Sequence, residues 1–166
     1  IFVKFKVSDK NNIDIPDNTY FVIWTTTPWT LPANVGIALH PDFTYNLFKM
    51  NNEYYIAVED LTETVALKIN KNCKIEIIKK FKGNQLKNIL CFHPFLERKS
   101  KVINGNFVTV DTGSGCVHIA PGHGEDDYIA GKEYGLPTIS PVDNMGRFTS
   151  EFEIMKGENV FKSNPK

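Results

Sequence analysis

Apolar and polar residues alternate from the first position. Ile1, Val3, Phe5 and Val7 share one face of an extended segment while Lys4 and Lys6 fall on the other, the period-two signature of a half-buried strand. Residues 20–25, 35–39, 43–48 and 53–58 are rich in aromatic and β-branched side chains and predict further strands. Asn51-Asn52 between two such runs predicts a tight hairpin, and Pro16-Asp17-Asn18 and His40-Pro41-Asp42 read as turns between neighbouring strands. The succession predicts a meander of antiparallel strands.

Helical patterns are few. They cover 60–68, opened by Asp60 as N-cap, then 83–88, and 125–134, which starts with acids and is followed by Gly135 and Pro137. Many short strands with a few inserted helices predict a mainly β (α+β) fold, a closed or nearly closed antiparallel β-barrel. An alternating βαβ sheet would need longer, regularly spaced helices. The tail from about 156, with Gly157, Pro165 and several Lys and Asn, reads as an exit strand or linker.

The length of 166 residues predicts one domain, residues 1–166, able to bury a core of its own. With 42% hydrophobic and 23% charged residues the composition is that of a globular protein. No run reaches the roughly 18 consecutive apolar residues of a membrane-spanning helix, so no membrane partner is expected. The chain opens on Ile1 without an initiator Met and without a signal-peptide pattern, and reads as a piece of something longer. Cys73, Cys91 and Cys116 are odd in number, widely spaced and without a CxxC pair, which argues against a disulfide framework and for a reducing compartment, the cytoplasm or an organelle. Nineteen basic and nineteen acidic residues cancel. Contact with nucleic acid would therefore be local, through Lys79, Lys80 and Lys82 or Arg98, Lys99 and Lys101, clusters that are otherwise ordinary solvated faces.

Two stretches carry candidate chemistry. Thr25-Thr26-Thr27-Pro28-Trp29-Thr30-Leu31-Pro32-Ala33-Asn34 follows a strand and adds hydroxyls, two prolines and an amide, a stiff polar edge suited to a small polar ligand, although threonine also simply favours strands. The second runs from Gly113 through Tyr128. If Val117 and Ile119 face the core, period two sends Cys116, His118 and Ala120 to the other side, and His118 lines a cleft; its bland alternative is a satisfied structural histidine. Beyond Pro121 and a glycine-rich turn, Asp126 and Asp127 enter the first turn of the next helix, where the macrodipole favours an ionised carboxylate, suited to an ammonium group or to capping.

Other chemistries fit poorly. The turn lacks the Gly-Lys-Ser/Thr ending of a P-loop and the GxGxxG spacing of a dinucleotide site. Cys116, His118 and His123 lack a matching ligand pair, so neither metal nor cofactor is expected. Neither the threonines nor Cys116 has the context of a covalent nucleophile. Attack by water is the simplest hydrolytic reading.

Together these stretches resemble the editing domain (CP1) of isoleucyl-tRNA synthetase, a class I aminoacyl-tRNA synthetase. The resemblance rests on Trp24 through Asn34, Val35-Gly36-Ile37-Ala38-Leu39-His40-Pro41 and Gly113 through Tyr128. Further matches are Tyr134 to Pro137, Pro141 to Phe148 and Gly157 to Asn164. Thr27-Pro28-Trp29 stands where the valyl and leucyl editing domains carry an Arg after paired threonines, and Ser114 replaces the usual Thr between two glycines. No signature of the synthetic, ATP-using site is present.

The resemblance implies hydrolysis of the ester that joins valine to tRNA(Ile). Its partners would be the aminoacylated 3′ end of that tRNA, the valine moiety as substrate, and the parent synthetase's catalytic domain. It implies that Asp127 anchors the α-ammonium group and that His118 walls the amino-acid pocket. Thr25, Thr26 and Thr27 would line the ester and terminal adenosine, with Trp29 and Asn34 shaping the floor and the tRNA-end contact. A module that binds the aminoacyl end without turning it over is the alternative.

Overall fold

In a computed structural model, residues 1–72 and 74–163 are described, so Cys73 and the Asn164 end of the last matched segment lie outside the described residues. The chain divides into two compact units, one of residues 1–25 and 36–118, the other of residues 26–35 and 119–166.

The first unit is built on a nine-stranded sheet. Its strands are β1 (Phe2–Asp9), β2 (Thr19–Trp24), β3 (Gly36–Leu39), β4 (Thr44–Met50), β5 (Glu53–Val58), β6 (Glu76–Lys82), β7 (Leu90–Phe92), β8 (Lys99–Asn104) and β9 (Cys116–Ile119). The alternation in β1 is real: Phe5 and Val7 are buried, Lys4 and Lys6 exposed. Asn51 adopts φ +56° in the two-residue turn that sets Met50 opposite Glu53, the hairpin expected between β4 and β5.

Strand neighbours depart from the expected meander. The order is β6-β4-β5-β2-β1-β7-β8-β3-β9, and both β2–β5 and β3–β8 are parallel pairs. The sheet is therefore mixed, and its ladder ends at β6 and β9 without closing into the predicted antiparallel barrel. Period two fixes which face of a strand is buried but is the same for either neighbour direction, so pairing is not written in it. β1 serves both halves: Phe2–Lys6 pair with β2, and Val7 and Asp9 pair with Cys91 and Leu90 of β7, with an irregularity between them.

Much of the sheet is covered on two faces. α1 (Thr62–Ile69) sets Val65 and Ala66 in one cluster with Val22, Phe48, Met50, Tyr55 and Ala57. Tyr45 and Leu47, on the alternate face of β4, are also fully buried. Burying each such side chain is worth roughly 1.5–3 kcal/mol, and it erases the alternation in β2, β3 and β4. Asp60 does not cap α1 as predicted. A 3-10 turn over Glu59–Leu61 precedes the helix and takes up Asp60, while the Thr62 hydroxyl donates to Val58 O at 2.9 Å. The 83–88 segment is a shorter 3-10 turn, Gly83–Leu86.

The second unit holds a 3-10 helix at Pro28–Ala33, α2 (Glu125–Tyr134), a 3-10 segment at Ser150–Met155 and α3 (Val160–Ser163). Gly135, at φ +64°, closes α2 as its sequence predicts. The tail from 156, read as an exit strand or linker, forms neither over its described residues: Val160 is buried in the short α3, Phe148 N–H donates to Glu158 O at 3.0 Å, and Gly157 N–H donates to Phe148 O at 2.8 Å. Among the described residues no helix is long and apolar enough to cross a membrane.

Candidate functional site

The chain leaves the first unit after Thr25, which is 6% exposed at the end of β2 with its N–H on Ile1 O. Thr26 and Thr27 belong to the second unit and are exposed. Thr27 C=O accepts both the N–H (3.1 Å) and the hydroxyl (2.8 Å) of Thr30, which fastens the 3-10 helix that follows. Pro28 supplies the preset φ of a helix start and Pro32 sits inside, so the predicted stiff edge takes helical form. The expected floor residues differ from each other. Trp29 is half-buried, whereas Asn34 is fully buried and ends the helix by donating its N–H to Leu31 O at 2.9 Å.

Two glycine-rich turns flank β9 in sequence. In the first unit Gly113 and Gly115 adopt φ +86° and +71°, and a Cβ at Gly115 would stand 2.4 Å from Val58 Cβ. Ser114 C=O accepts Val58 N–H at 2.9 Å, and Gly115 C=O accepts the Tyr45 hydroxyl at 2.7 Å, so this turn is tied into the core. His118 is half-buried in this unit. Cys116 is not on a cleft face as period two suggested: it is 2% exposed, its thiol reaches Ile56 O at 3.8 Å, and burial pushes its pKa up, as it does for Cys91. The alternation fails because Cys116, Ile119 and Ala120 are all buried. Both cysteines are free, inert as buried thiols are.

The second turn, in the second unit, presents more polar capacity. Ala120 is held twice: its N–H donates to Asp127 Oδ2 at 2.8 Å, and its C=O accepts His123 N–H at 2.9 Å. A Cβ on Gly122 would lie 2.1 Å from Ile139 O, so only glycine fits there. Gly124 precedes α2 and its C=O takes the first helical bond, from Tyr128 N–H at 2.9 Å. Asp127 is thus in the first turn of α2, half-buried, with its remaining carboxylate oxygen available for a cation. Burial raises its pKa from the ordinary value of 3.8; the Ala120 amide opposes that and neighbouring Asp126 adds to it.

His123 is a residue the sequence offered only as a poor metal ligand. Its ring meets Trp29 edge to face at 5.2 Å, and burial lowers its pKa, favouring the neutral imidazole. Its Nε2 is buried with no hydrogen-bond partner among the described residues. Such an atom can hold a water or a polar substrate group. A signal existed in the sequence, a histidine between two glycines, but the burial that makes it notable is tertiary. Among the described residues no three His, Cys, Asp or Glu side chains are gathered as a metal-binding group.

The basic clusters divide. Lys79 pairs with Asp14 at 3.1 Å, Lys80 with Glu59, and Lys82 donates to Asp42 O at 2.9 Å. These cations are engaged within the protein.

Residues 1–163 match the family model described as the editing domain of leucyl-tRNA synthetase. The sequence is similar to the isoleucine–tRNA ligases of Syntrophomonas wolfei, at 48% identity over 164 residues, and Staphylococcus saprophyticus, at 50% over 165. Each similarity covers 99% of this chain and 18% of the ligase, so the chain spans less than a fifth of the length of these curated relatives. Among solved structures, the crystal structure of GlLeuRS-CP1 has a TM-score of 0.73 at 15% identity, over 98% of this chain and 91% of that one. The P. knowlesi cytosolic leucyl-tRNA synthetase editing domain gives 0.63 at 15% identity, over 76% and 58%. Identities this low speak to the fold.

Proposed function

Because the chain belongs to the family of aminoacyl-tRNA synthetase editing domains represented by that of leucyl-tRNA synthetase, we propose that it hydrolyses the ester joining valine to tRNA(Ile) and so proofreads the product of an isoleucine–tRNA ligase. The isoleucine assignment is supported by 48–50% identity to ligases of that name along nearly the whole chain, and by Thr27-Pro28-Trp29 where valyl and leucyl editing domains carry Arg. The parent catalytic domain and the aminoacylated 3′ end of tRNA(Ile) are the partners this reading requires.

The chemistry follows from the demands of selection. An apolar pocket gains only about 1–3 kcal/mol from one methylene, isoleucine against valine being the standard illustration of that general magnitude. A second, hydrolytic pocket that valine enters and isoleucine overfills restores discrimination, since overpacking is costly. In this reading Asp127 binds the α-ammonium group, His118 walls the amino-acid pocket, and Thr25, Thr26 and Thr27 line the ester. A positioned water attacks the carbonyl carbon, donors stabilise the tetrahedral oxyanion, and the ribose oxygen leaves with a proton.

The observation that carries this reading is Asp127: a half-buried carboxylate at the start of α2, oriented by one hydrogen bond to Ala120 N–H and otherwise open to a cation. The test is deacylation of valyl-tRNA(Ile) and isoleucyl-tRNA(Ile) by the chain and by Asp127→Ala. Preferential hydrolysis of the valyl ester, lost in the variant, is expected. Binding of a non-hydrolysable valyl-adenosine analogue without hydrolysis of either ester would replace this reading with that of a binding module.

A further inference from the structure

Within the second unit a ring contact joins the two stretches that carry the candidate chemistry. Trp29 comes from the 3-10 helix that follows the threonines and His123 from the turn before α2. Their rings meet edge to face, with centres 5.2 Å apart and planes at 79°. Thr30, Leu31, Pro32 and Ala33 are buried, so Trp29 stands at the half-buried end of its helix. Pro28 and the Thr30 hydroxyl bond to Thr27 O fix the backbone there. A fixed backbone does not fix a half-exposed indole, which swings about two side-chain bonds unless a neighbour walls it in.

His123 has the rigidity to be that wall. Its N–H donates to Ala120 O at 2.9 Å, and Asp127 Oδ2 accepts Ala120 N–H at 2.8 Å, so the base of the turn is held from both sides. A Cβ on Gly122 would stand 2.1 Å from Ile139 O, and one on Gly131 of α2 would stand 2.6 Å from Pro121 Cγ. The turn is thus packed tightly against the Ile139 segment and against its own helix. The His123 ring makes no hydrogen bond through Nε2 among the described residues, and burial favours its neutral form. What it presents to Trp29 is the flat ring itself, in the geometry aromatic pairs prefer.

The same turn holds Asp127. An amino acid bound there by its ammonium group carries its side chain on the adjacent carbon, so the walls that close on this turn decide how large a side chain fits. Valine and isoleucine differ by one methylene, and a wall that yields admits both. We propose that His123 is a positioning residue for selectivity, whose ring holds the Trp29 indole against the Asp127 turn and so restricts the site to the smaller acyl group. This role rests on the editing reading, and the working part is the ring and not its nitrogens.

The experiment compares hydrolysis of valyl- and isoleucyl-tRNA(Ile) by the chain and by His123→Ala, His123→Phe and His123→Gln. His123→Ala is expected to lower the valyl-over-isoleucyl ratio of kcat/KM by about 2- to 13-fold, the equivalent of one edge-to-face contact, chiefly through a gain on the isoleucyl ester. His123→Phe, which keeps the ring, is expected to restore the ratio; His123→Gln, which keeps a polar tip without a ring, is expected to behave as His123→Ala. The tryptophans of the chain are Trp24 and Trp29, so in a Trp24→Phe background the emission reports Trp29, with a red shift expected in His123→Ala and its reversal in His123→Phe. An unchanged ratio in His123→Ala overturns the proposal. So does an equal fall on both esters, the mark of a turn that is merely structural, and so does rescue by Gln but not by Phe, the mark of a hydrogen bond to substrate. If His123→Ala does not fold, His123→Leu, which fills the space without an aromatic edge, is held to the same outcomes. If the chain hydrolyses neither ester the editing reading fails, and the affinity ratio for non-hydrolysable valyl- and isoleucyl-adenosine analogues decides the role of His123 by the same criteria; binding of neither analogue overturns that role too.

Discussion

The two glycine-rich turns on either side of β9 look alike in sequence and differ in purpose. Gly113-Ser114-Gly115 is bound into the core: its glycines take positive φ, its carbonyls accept Val58 N–H and the Tyr45 hydroxyl, and Gly115 packs against Val58. Pro121-Gly122-His123-Gly124 is equally constrained in backbone but leaves capacity over, in one carboxylate oxygen of Asp127 and in His123 Nε2. Glycine richness reports a crowded backbone in both. What marks a site is polar capacity the protein does not consume itself.

The sharpest way to break that contrast is at Asp127. Truncating one member of a desolvated charge pair costs about 2–5 kcal/mol, so Asp127→Ala is expected to slow valyl-tRNA(Ile) deacylation by roughly 30- to 5000-fold. Its loss of the Ala120 hydrogen bond should cost only about 1 kcal/mol of stability in urea denaturation. Gly115→Ala should show the reverse. Its Cβ clashes with Val58 and its φ is positive, which costs about 2–4 kcal/mol; the deacylation rate per folded molecule should stay at the wild-type value. A Gly115→Ala chain of full stability would remove the structural reading of the first turn.

The pH dependence gives a smaller, signed effect. Because burial raises the Asp127 pKa above 3.8, the folded chain holds that proton more tightly than the unfolded one. The stabilising contribution is complete below the unfolded value and is lost as pH rises through the folded value. Hydrolysis, which needs the ionised carboxylate, moves oppositely and should fall on acidification at a pH above that at which an exposed aspartate titrates. Asp127→Asn keeps an acceptor for Ala120 N–H and removes the ionisation, so at neutral pH it should melt no lower than wild type while losing activity. A wild-type rate that stays flat down to the pH range of an exposed aspartate would contradict this.

The smallest effect is expected at Lys79 and Lys80. Their partners are on the protein surface, and exposed ion pairs contribute little. Alanine at either should leave the melting temperature unchanged, in contrast to Gly115→Ala. A fall in melting temperature for Lys79→Ala as large as that for Gly115→Ala would contradict this.

Local features of this protein were legible in its sequence. The α2 boundaries at Glu125 and Tyr134, the Asn51-Asn52 hairpin and the inward face of β1 each follow from a few neighbouring residues. So does the presence of Asp127 in the first turn of α2, because capping, turn conformation and periodicity are short-range effects. Only the tertiary structure decided the rest. The parallel pairing of β2 with β5 and of β3 with β8 joins segments far apart in the chain, and period two carries no information about a strand's neighbours. Cys116 is buried where alternation placed it in a cleft, since packing covers both faces of the strand. Burial likewise gives Asp127 and His123 their shifted protonation: desolvation depends on what other segments bring against a side chain, and no local pattern records it.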